Sequence, residues 1–243
     1  TELLTLTDYR RRYAQHRSDK GLQALHAAAP FICVWDDHEI ANDAWRDGAE
    51  NHNADEGDFY KRKRKALRAY FEWMPIRPVV EKNREIIYRN FEFGNLVNLM
   101  MLDTRVVGRD QQLDYANYIG GDGSFNSNQF LVDISDSNRT LLGFEQLAWL
   151  QNTMATSSAS WQVLGQQVLM GRMNLPAELL LNLDDPATAL PAFSELANIK
   201  GRILAGDPSV TDIERARLYT VLPYNLDAWD GYFVQRETVL GTA

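Results

Sequence analysis

The sequence has 243 residues, 45% of them hydrophobic and 24% charged, close to the average for globular proteins, so there is apolar surface enough to offset the entropy of ordering the chain. Intrinsic disorder is excluded on that ground, and a formal charge of −8 argues against non-specific attraction to nucleic-acid phosphates or anionic lipid while suiting a protein that holds cations. No stretch approaches the roughly 20 consecutive apolar residues that span a bilayer, and Thr1-Glu2-Leu3-Leu4 lacks a basic region followed by an apolar one; the expectation is a soluble chain with no address of its own and no nucleic-acid-binding patch.

The missing initiator Met and a helical pattern already running from Thr7 to Gln15 predict a chain that begins inside a longer protein, with Thr7 as the helix N-cap. A second short helix is expected over Leu22 to Ala28. Pro30 breaks it, and the apolar run Phe31-Ile32-Cys33-Val34-Trp35 that follows reads as a fully buried strand ending in two acids. Cys33 is the only cysteine; in that run it reads as a small buried hydrophobe, and no disulfide can form within the chain. Residues 39 to 58 show no apolar period and read as a long functional loop. Helical spacing returns at Phe59, Ala66, Tyr70 and Trp73, with Lys61 to Lys65 read as a solvated basic face and Pro75 as the stop.

Two strands are expected next, Ile86 to Phe93 and Val97 to Leu102, joined by the hairpin pair Gly94-Asn95. Gly120 to Asn138 reads as a surface loop, Leu141 to Met154 as an amphipathic helix and Trp161 to Met170 as a core strand. Pro176 to Ala205 holds one or two helices interrupted by Asp184-Asp185-Pro186. Thr211 with Glu214 three residues on forms a capping-box pattern, and a last helix starts at Val234. Strands alternating with helices, plus a hairpin, give an α/β fold, with residues 1–243 expected as one domain.

The chemistry concentrates in Val34-Trp35-Asp36-Asp37-His38-Glu39, where carboxylates and an imidazole crowd the end of an apolar run, the place at which α/β sheets put their sites. Carboxylate oxygens suit calcium, manganese and ferric iron, and an adjacent imidazole can stabilise charge or move a proton. On spacing alone, Asp36 as a turn cap and His38 bonded to a backbone carbonyl remain open. Arg77 and Arg105 are expected to pair structurally with acids rather than bind phosphate. His52 can line a pocket, whereas His16 and His26 read as surface or packing residues. Trp73, Trp149, Trp161 and Trp229 read as core or domain-contact aromatics.

The block Asp36-Asp37-His38-Glu39-Ile40-Ala41-Asn42-Asp43 is followed by Glu72-Trp73-Met74-Pro75-Ile76-Arg77, Leu102-Asp103-Thr104-Arg105, Leu142-Gly143-Phe144-Glu145-Gln146 with Trp149-Leu150, Trp161 to Gln167, and Trp229-Asp230-Gly231-Tyr232 with Arg236. In this order the series resembles the PhoD-like metallophosphatases over nearly the whole chain. The resemblance implies part of a metallophosphoesterase-type α/β/β/α sandwich with long loops, and hydrolysis of phosphomonoesters or phosphodiesters by attack of a metal-bound hydroxide on phosphorus. It implies calcium and iron as cofactors, with His38 catalytic, Asp37 a metal ligand, and Asp36 and Asn42 weaker ligand candidates; for Asp36 the alternative is orienting His38. It also implies a periplasmic or secreted parent protein. The family's upstream iron-binding block and its downstream Gly-Asp-x-His block have no counterpart here: none of Gly57-Asp58, Gly121-Asp122 and Gly206-Asp207 is followed by a His two residues on. Residues 1–243 are therefore expected to be an interior part of such a domain, holding some of its ligands, with most iron ligands elsewhere. The competing expectation is a binding or interaction module that keeps the fold with an incomplete site. No Gly-x-Ser-x-Gly elbow or phosphate-cradling Gly-x-x-x-x-Gly-Lys loop points to another hydrolase.

Overall fold

The computed structural model describes residues 2–242; Thr1 and Ala243, which the expected domain of 1–243 includes, lie outside the described residues. Helices and strands alternate as expected of an α/β chain, and the residues gather into two compact units. One is formed by residues 1–112, 136–168 and 234–243 and the other by 113–135 and 169–233.

The first unit opens with α1 (Leu6–Arg17) and α2 (Lys20–Ala28). The cap of α1 is Thr5 rather than Thr7: Thr5 and Asp8 form a reciprocal capping box that satisfies two N–H groups at the helix start. Asp19 caps α2 through the N–H of Leu22. After the long loop, Asp58 caps α3 (Phe59–Trp73), which packs against α1. Tyr9, Trp35, Ile40, Phe59, Leu67, Tyr70 and Ile87 make the core between these helices and the loop.

The basic run forms a solvated face only in part, since Lys61 and Arg64 are exposed and the two residues between them are not. Arg62 and Lys63 are 3% and 2% exposed because irregular backbone beside α3 needs donors. Arg62 gives N–H groups to Leu3 O at 3.0 Å and Asn51 O at 3.1 Å. Lys63 Nζ reaches Arg46 O at 3.0 Å and Glu85 at 3.2 Å. Two buried cations thus fasten the 39–58 loop to a helix, satisfying carbonyls that no ladder pairs.

The sheet of this unit comprises β1 (Arg89–Phe93), β2 (Val97–Met101) and β3 (Trp161–Gly165), in that order. β1 and β2 form the expected hairpin, antiparallel with Phe91 opposite Leu99; β2 and β3 are parallel with Leu99 opposite Val163. Gly94 takes φ 58 at the turn, where a side chain would be strained. The expected strand at residues 31–35 is absent. The segment has no strand partner among the described residues, and two of its carbonyls are met by side chains instead: Cys33 O by Arg89 at 2.7 Å and Trp35 O by Gln167 at 2.6 Å. Phe31 and Ile32 stay exposed, Phe31 stacked on His26 with ring centroids 4.1 Å apart. Cys33 is half-buried, and burial pushes its thiol up. Trp161, expected in a core, is 66% exposed.

The second unit holds α4 (Ser127–Ile134), which replaces part of the expected surface loop because Asn126 caps it and Phe130 and Ile134, four apart, turn one face into a core with Tyr118 and Leu226. Its β4 (Asn174–Pro176) and β5 (Val221–Pro223) pair antiparallel. Between them lie α6 (Ala177–Leu180), α7 (Pro186–Leu204) and α8 (Asp212–Tyr219). Asp185 caps α7 with Pro186 in its first turn, and the Thr211/Glu214 capping box is formed at α8. In the first unit again, α5 (Phe144–Thr156) starts after Gly143, and most of α9 (Phe233–Leu240) closes the chain. The expected start at Leu141 shifts because Leu141 and Leu142 are buried in the turn before the helix rather than on its face.

Glu72, near the end of α3, receives Arg10 of α1 at 2.6 and 2.7 Å and Arg68 at 2.9 Å. The Arg10 bond, seconded by Arg68, holds its carboxyl down at about 2. A depressed carboxylate stabilises the fold above its unfolded pKa and loses that contribution as pH falls through the folded value. Glu72→Gln is therefore expected to lower stability in urea unfolding above about pH 5, with the difference from wild type shrinking as pH approaches 2.

Candidate active site

Asp36, Asp37, His38 and Glu39 follow Trp35 directly and turn tightly. The N–H groups of Ile40 and Ala41 both bond to Asp37 O, at 2.7 and 2.8 Å, and Asp43 N donates to Asp37 Oδ2 at 2.8 Å. Asp43 sits at φ 48, a left-handed conformation that Asp tolerates better than most residues. Asp37 is buried with one oxygen held by that N–H. His38 Nε2 lies 3.6 Å from Asp37 Oδ2, and the imidazole side chain is 76% exposed. The two residues expected to carry the chemistry are therefore side by side, one inside and one outside.

A cleft of about 770 Å3 runs between α1 and this turn, lined among others by Tyr9, Arg12, Tyr13, His38, Glu39 and Asn42. Asn42 donates its amide N–H to Glu50, so its side-chain carbonyl oxygen is the atom that could face a cation. Glu39 accepts from Asp36 N at 2.7 Å, and burial raises its carboxyl against that bond. Asp36 is tied elsewhere: its Oδ1 accepts from Arg105 Nε at 2.7 Å, and Arg105 is 3% exposed. The expected structural pairing of Arg105 is present; Arg77 is exposed. His52 is held in the loop, bonded to Gly57 O at 3.0 Å and beside Arg62, and does not line the cleft. His16 does. Among the described residues no three or more His, Cys, Asp or Glu side chains gather where they could hold one metal ion.

Asp103 received no role from the sequence. It is wholly buried, and its carboxylate accepts four N–H groups: Trp35 Nε1 at 3.0 Å, Arg105 N at 2.9 Å and Val106 N at 2.9 Å on Oδ1, and Val107 N at 3.0 Å on Oδ2. Burial pushes the group up and the four donors oppose that shift. Gln146 reads the same residue's backbone, accepting from Asp103 N at 2.8 Å and donating to Asp103 O at 2.7 Å. Gln167 donates to Trp35 O and Leu102 O and accepts from Thr104 Oγ1 at 2.7 Å. Next to them Gly108 and Gly143 are in backbone contact, so that a Cβ on Gly108 would overlap Gly143. The signal available in the sequence was the clustering of these residues in the Leu102-to-Arg105, Leu142-to-Gln146 and Trp161-to-Gln167 blocks.

Those blocks are also where likeness to known proteins can be judged. A family model for the PhoD-like phosphatases matches residues 1–243. The chain belongs to the PhoD-like phosphatase family. It is 34% identical over 241 residues to alkaline phosphatase D of Bacillus subtilis (strain 168), a match covering 98% of this chain and 32% of that protein. It also resembles the solved structure of PhoD, with a TM-score of 0.67 and 32% identity over 100% of this chain and 37% of that one. The chain thus spans about a third of the length of this PhoD-like relative, and no described helix is long and apolar enough to cross a membrane.

The Asp103 cage generates a test. Asp103→Ala removes an acceptor from four donors, three of them backbone groups in a buried turn, and is expected to cost at least about 3 kcal/mol in chemical denaturation. Amide exchange should rise at residues 105–107, the N–H groups that lose their acceptor.

Proposed function

We propose that the protein carrying this chain hydrolyses phosphate monoesters and diesters, with calcium and iron as cofactors, and that His38 is its proton-transfer residue. His38 holds an exposed imidazole on the cleft beside a buried carboxylate, and this placement in a PhoD-like chain carries the reading. Asp37 and Asn42 offer a carboxylate and an amide oxygen, donors of the hard type that calcium and ferric iron take. Two such oxygens fit part of a site. Calcium alone takes about six to eight, so the balance belongs to other segments of the parent, of which residues 1–243 form an interior part of one metallophosphatase domain. Asp36, the third expected donor, already has Oδ1 on Arg105.

When bound, the metals supply positive charge that polarises the phosphoryl group and activates water. The chain's own contribution is acid–base and positional. His38 Nε2, at the cleft surface, delivers a proton to the leaving oxygen, so that the alcohol departs neutral. Asp37, fixed by Asp43 N, presents its carboxylate at one place rather than many. A formal charge of −8 suits small phosphoesters better than a nucleic-acid backbone, in a parent that works in the periplasm or outside the cell.

In the full-length protein, Asp37→Asn is expected to lower bound calcium and iron, measured by elemental analysis, because a neutral amide attracts a cation less. His38→Ala should keep its metal and slow hydrolysis of aryl phosphate monoesters and diesters by on the order of 100-fold to 10,000-fold. Normal turnover in His38→Ala would make His38 a structural residue. No hydrolysis by the metal-loaded wild type would favour the binding-module alternative.

A further inference from the structure

We propose that Asp36 is a positioning residue rather than a metal ligand, and that with Arg105 it fixes the backbone from which Asp37 and His38 project. The proposal rests on the phosphatase reading of the site and adds to it. Arg105 is always charged and is 3% exposed, so it needs an anion close by. Asp36 Oδ1 meets its Nε at 2.7 Å, the length of a charge-assisted hydrogen bond. A carboxylate engaged this way is a poorer donor to a cation, and it brings the guanidinium charge with it.

The pair also closes a ring. Trp35 donates its indole N–H to Asp103 Oδ1, Arg105 donates its backbone N–H to the same oxygen, and the Arg105 side chain returns to Asp36, the residue bonded to Trp35. One three-residue segment therefore grips both sides of the Trp35–Asp36 peptide, and Gln167 holds the Trp35 carbonyl at 2.6 Å. The N–H of that same peptide, on Asp36, is held by Glu39, and beyond it Asp37 is held by the N–H groups of Ile40, Ala41 and Asp43. Asp37 and His38 sit between a clamped entry and a tight turn. His38 and Asn42 line the cleft, while neither Asp36 nor Asp37 is among its lining residues; Asp36 Oδ1 is turned to Arg105.

The test uses the full-length protein with Asp36→Asn, Arg105→Lys, Arg105→Gln and the double variant Asp36→Asn/Arg105→Gln. Calcium and iron content, kcat and KM on an aryl phosphate monoester, and thermal midpoint are measured for each. Asp36→Asn is expected to keep its metal and its KM while kcat falls on the order of 10-fold to 100-fold, the usual effect of a displaced reacting group. Arg105→Lys should recover part of the kcat lost in Arg105→Gln, and the double variant should be no slower than the worse single one, because the two residues act as a unit. Loss of metal in a folded Asp36→Asn protein would show that Asp36 is a ligand and overturn the proposal, as would wild-type kcat. Should Asp36→Asn fail to fold with Arg105 left uncompensated, the double variant, which removes both charges, carries the same metal and kcat readings. If the wild type itself proves inactive, the phosphatase reading fails separately; the pair is then tested by the His38 imidazole NMR resonance, which must shift in Asp36→Asn and overturns the pair if it does not.

Discussion

A buried carboxylate with four N–H partners is the constraint on which the site region depends. Asp103 lies at the end of β2, where the chain leaves the sheet and its backbone donors lose their ladder. Charge buried without partners is costly, so this arrangement is stable only when every donor converges on the carboxylate. Convergence also forces geometry: the turn 105–107 must wrap the acid, and the Trp35 indole must reach it from another part of the chain. A single residue thereby couples the sheet, the turn after it and the segment that leads into the candidate active site.

The coupling explains how a segment without a strand partner among the described residues can still hold the candidate site residues in place. Residues 31–35 gain their order from side chains, through Arg89, Gln167 and Asp103, rather than from a ladder. Side-chain donors grip single atoms, so they allow the segment to end in a turn with two adjacent acids at a point where a regular sheet would demand alternation. The long loop after the turn is restrained in the same way by Arg62 and Lys63. Buried cations set the loop and a buried anion sets the entry to the site, each matched to backbone atoms of opposite polarity.

In this PhoD-like chain the side chains that face the cleft are distinct from those that hold the backbone behind it. His38 and Asn42 face a cleft of about 770 Å3; Asp103, Gln146 and Gln167 face the backbone. Both groups fall within short polar blocks of the sequence, which is why a motif by itself does not tell a reacting side chain from a supporting one.

Local chemistry was legible from the sequence. The Gly94 hairpin, the capping box at Thr211, the break between helices at Asp184-Asp185-Pro186, the α3 helix ending before Pro75 and the crowding of Asp37 with His38 all depend on neighbours a few residues apart, and each is present. Other expectations turned on partners far along the chain. Whether the apolar run at 31–35 becomes a strand depends on which backbone lies beside it, and none of the described residues supplies one. Whether Arg62 and Lys63 meet water depends on unpaired carbonyls at Leu3, Asn51 and Arg46. Asp103 and Asp36 look alike in sequence, each a carboxylate near an apolar segment; only the fold brings Trp35 to the first and Arg105 to the second. Short-range hydrogen bonding, including that of the 105–107 N–H groups to Asp103, is written in residue order, whereas the side-chain partners that tie Asp103 to Trp35 and Asp36 to Arg105 are 68 and 69 residues apart and are chosen by packing.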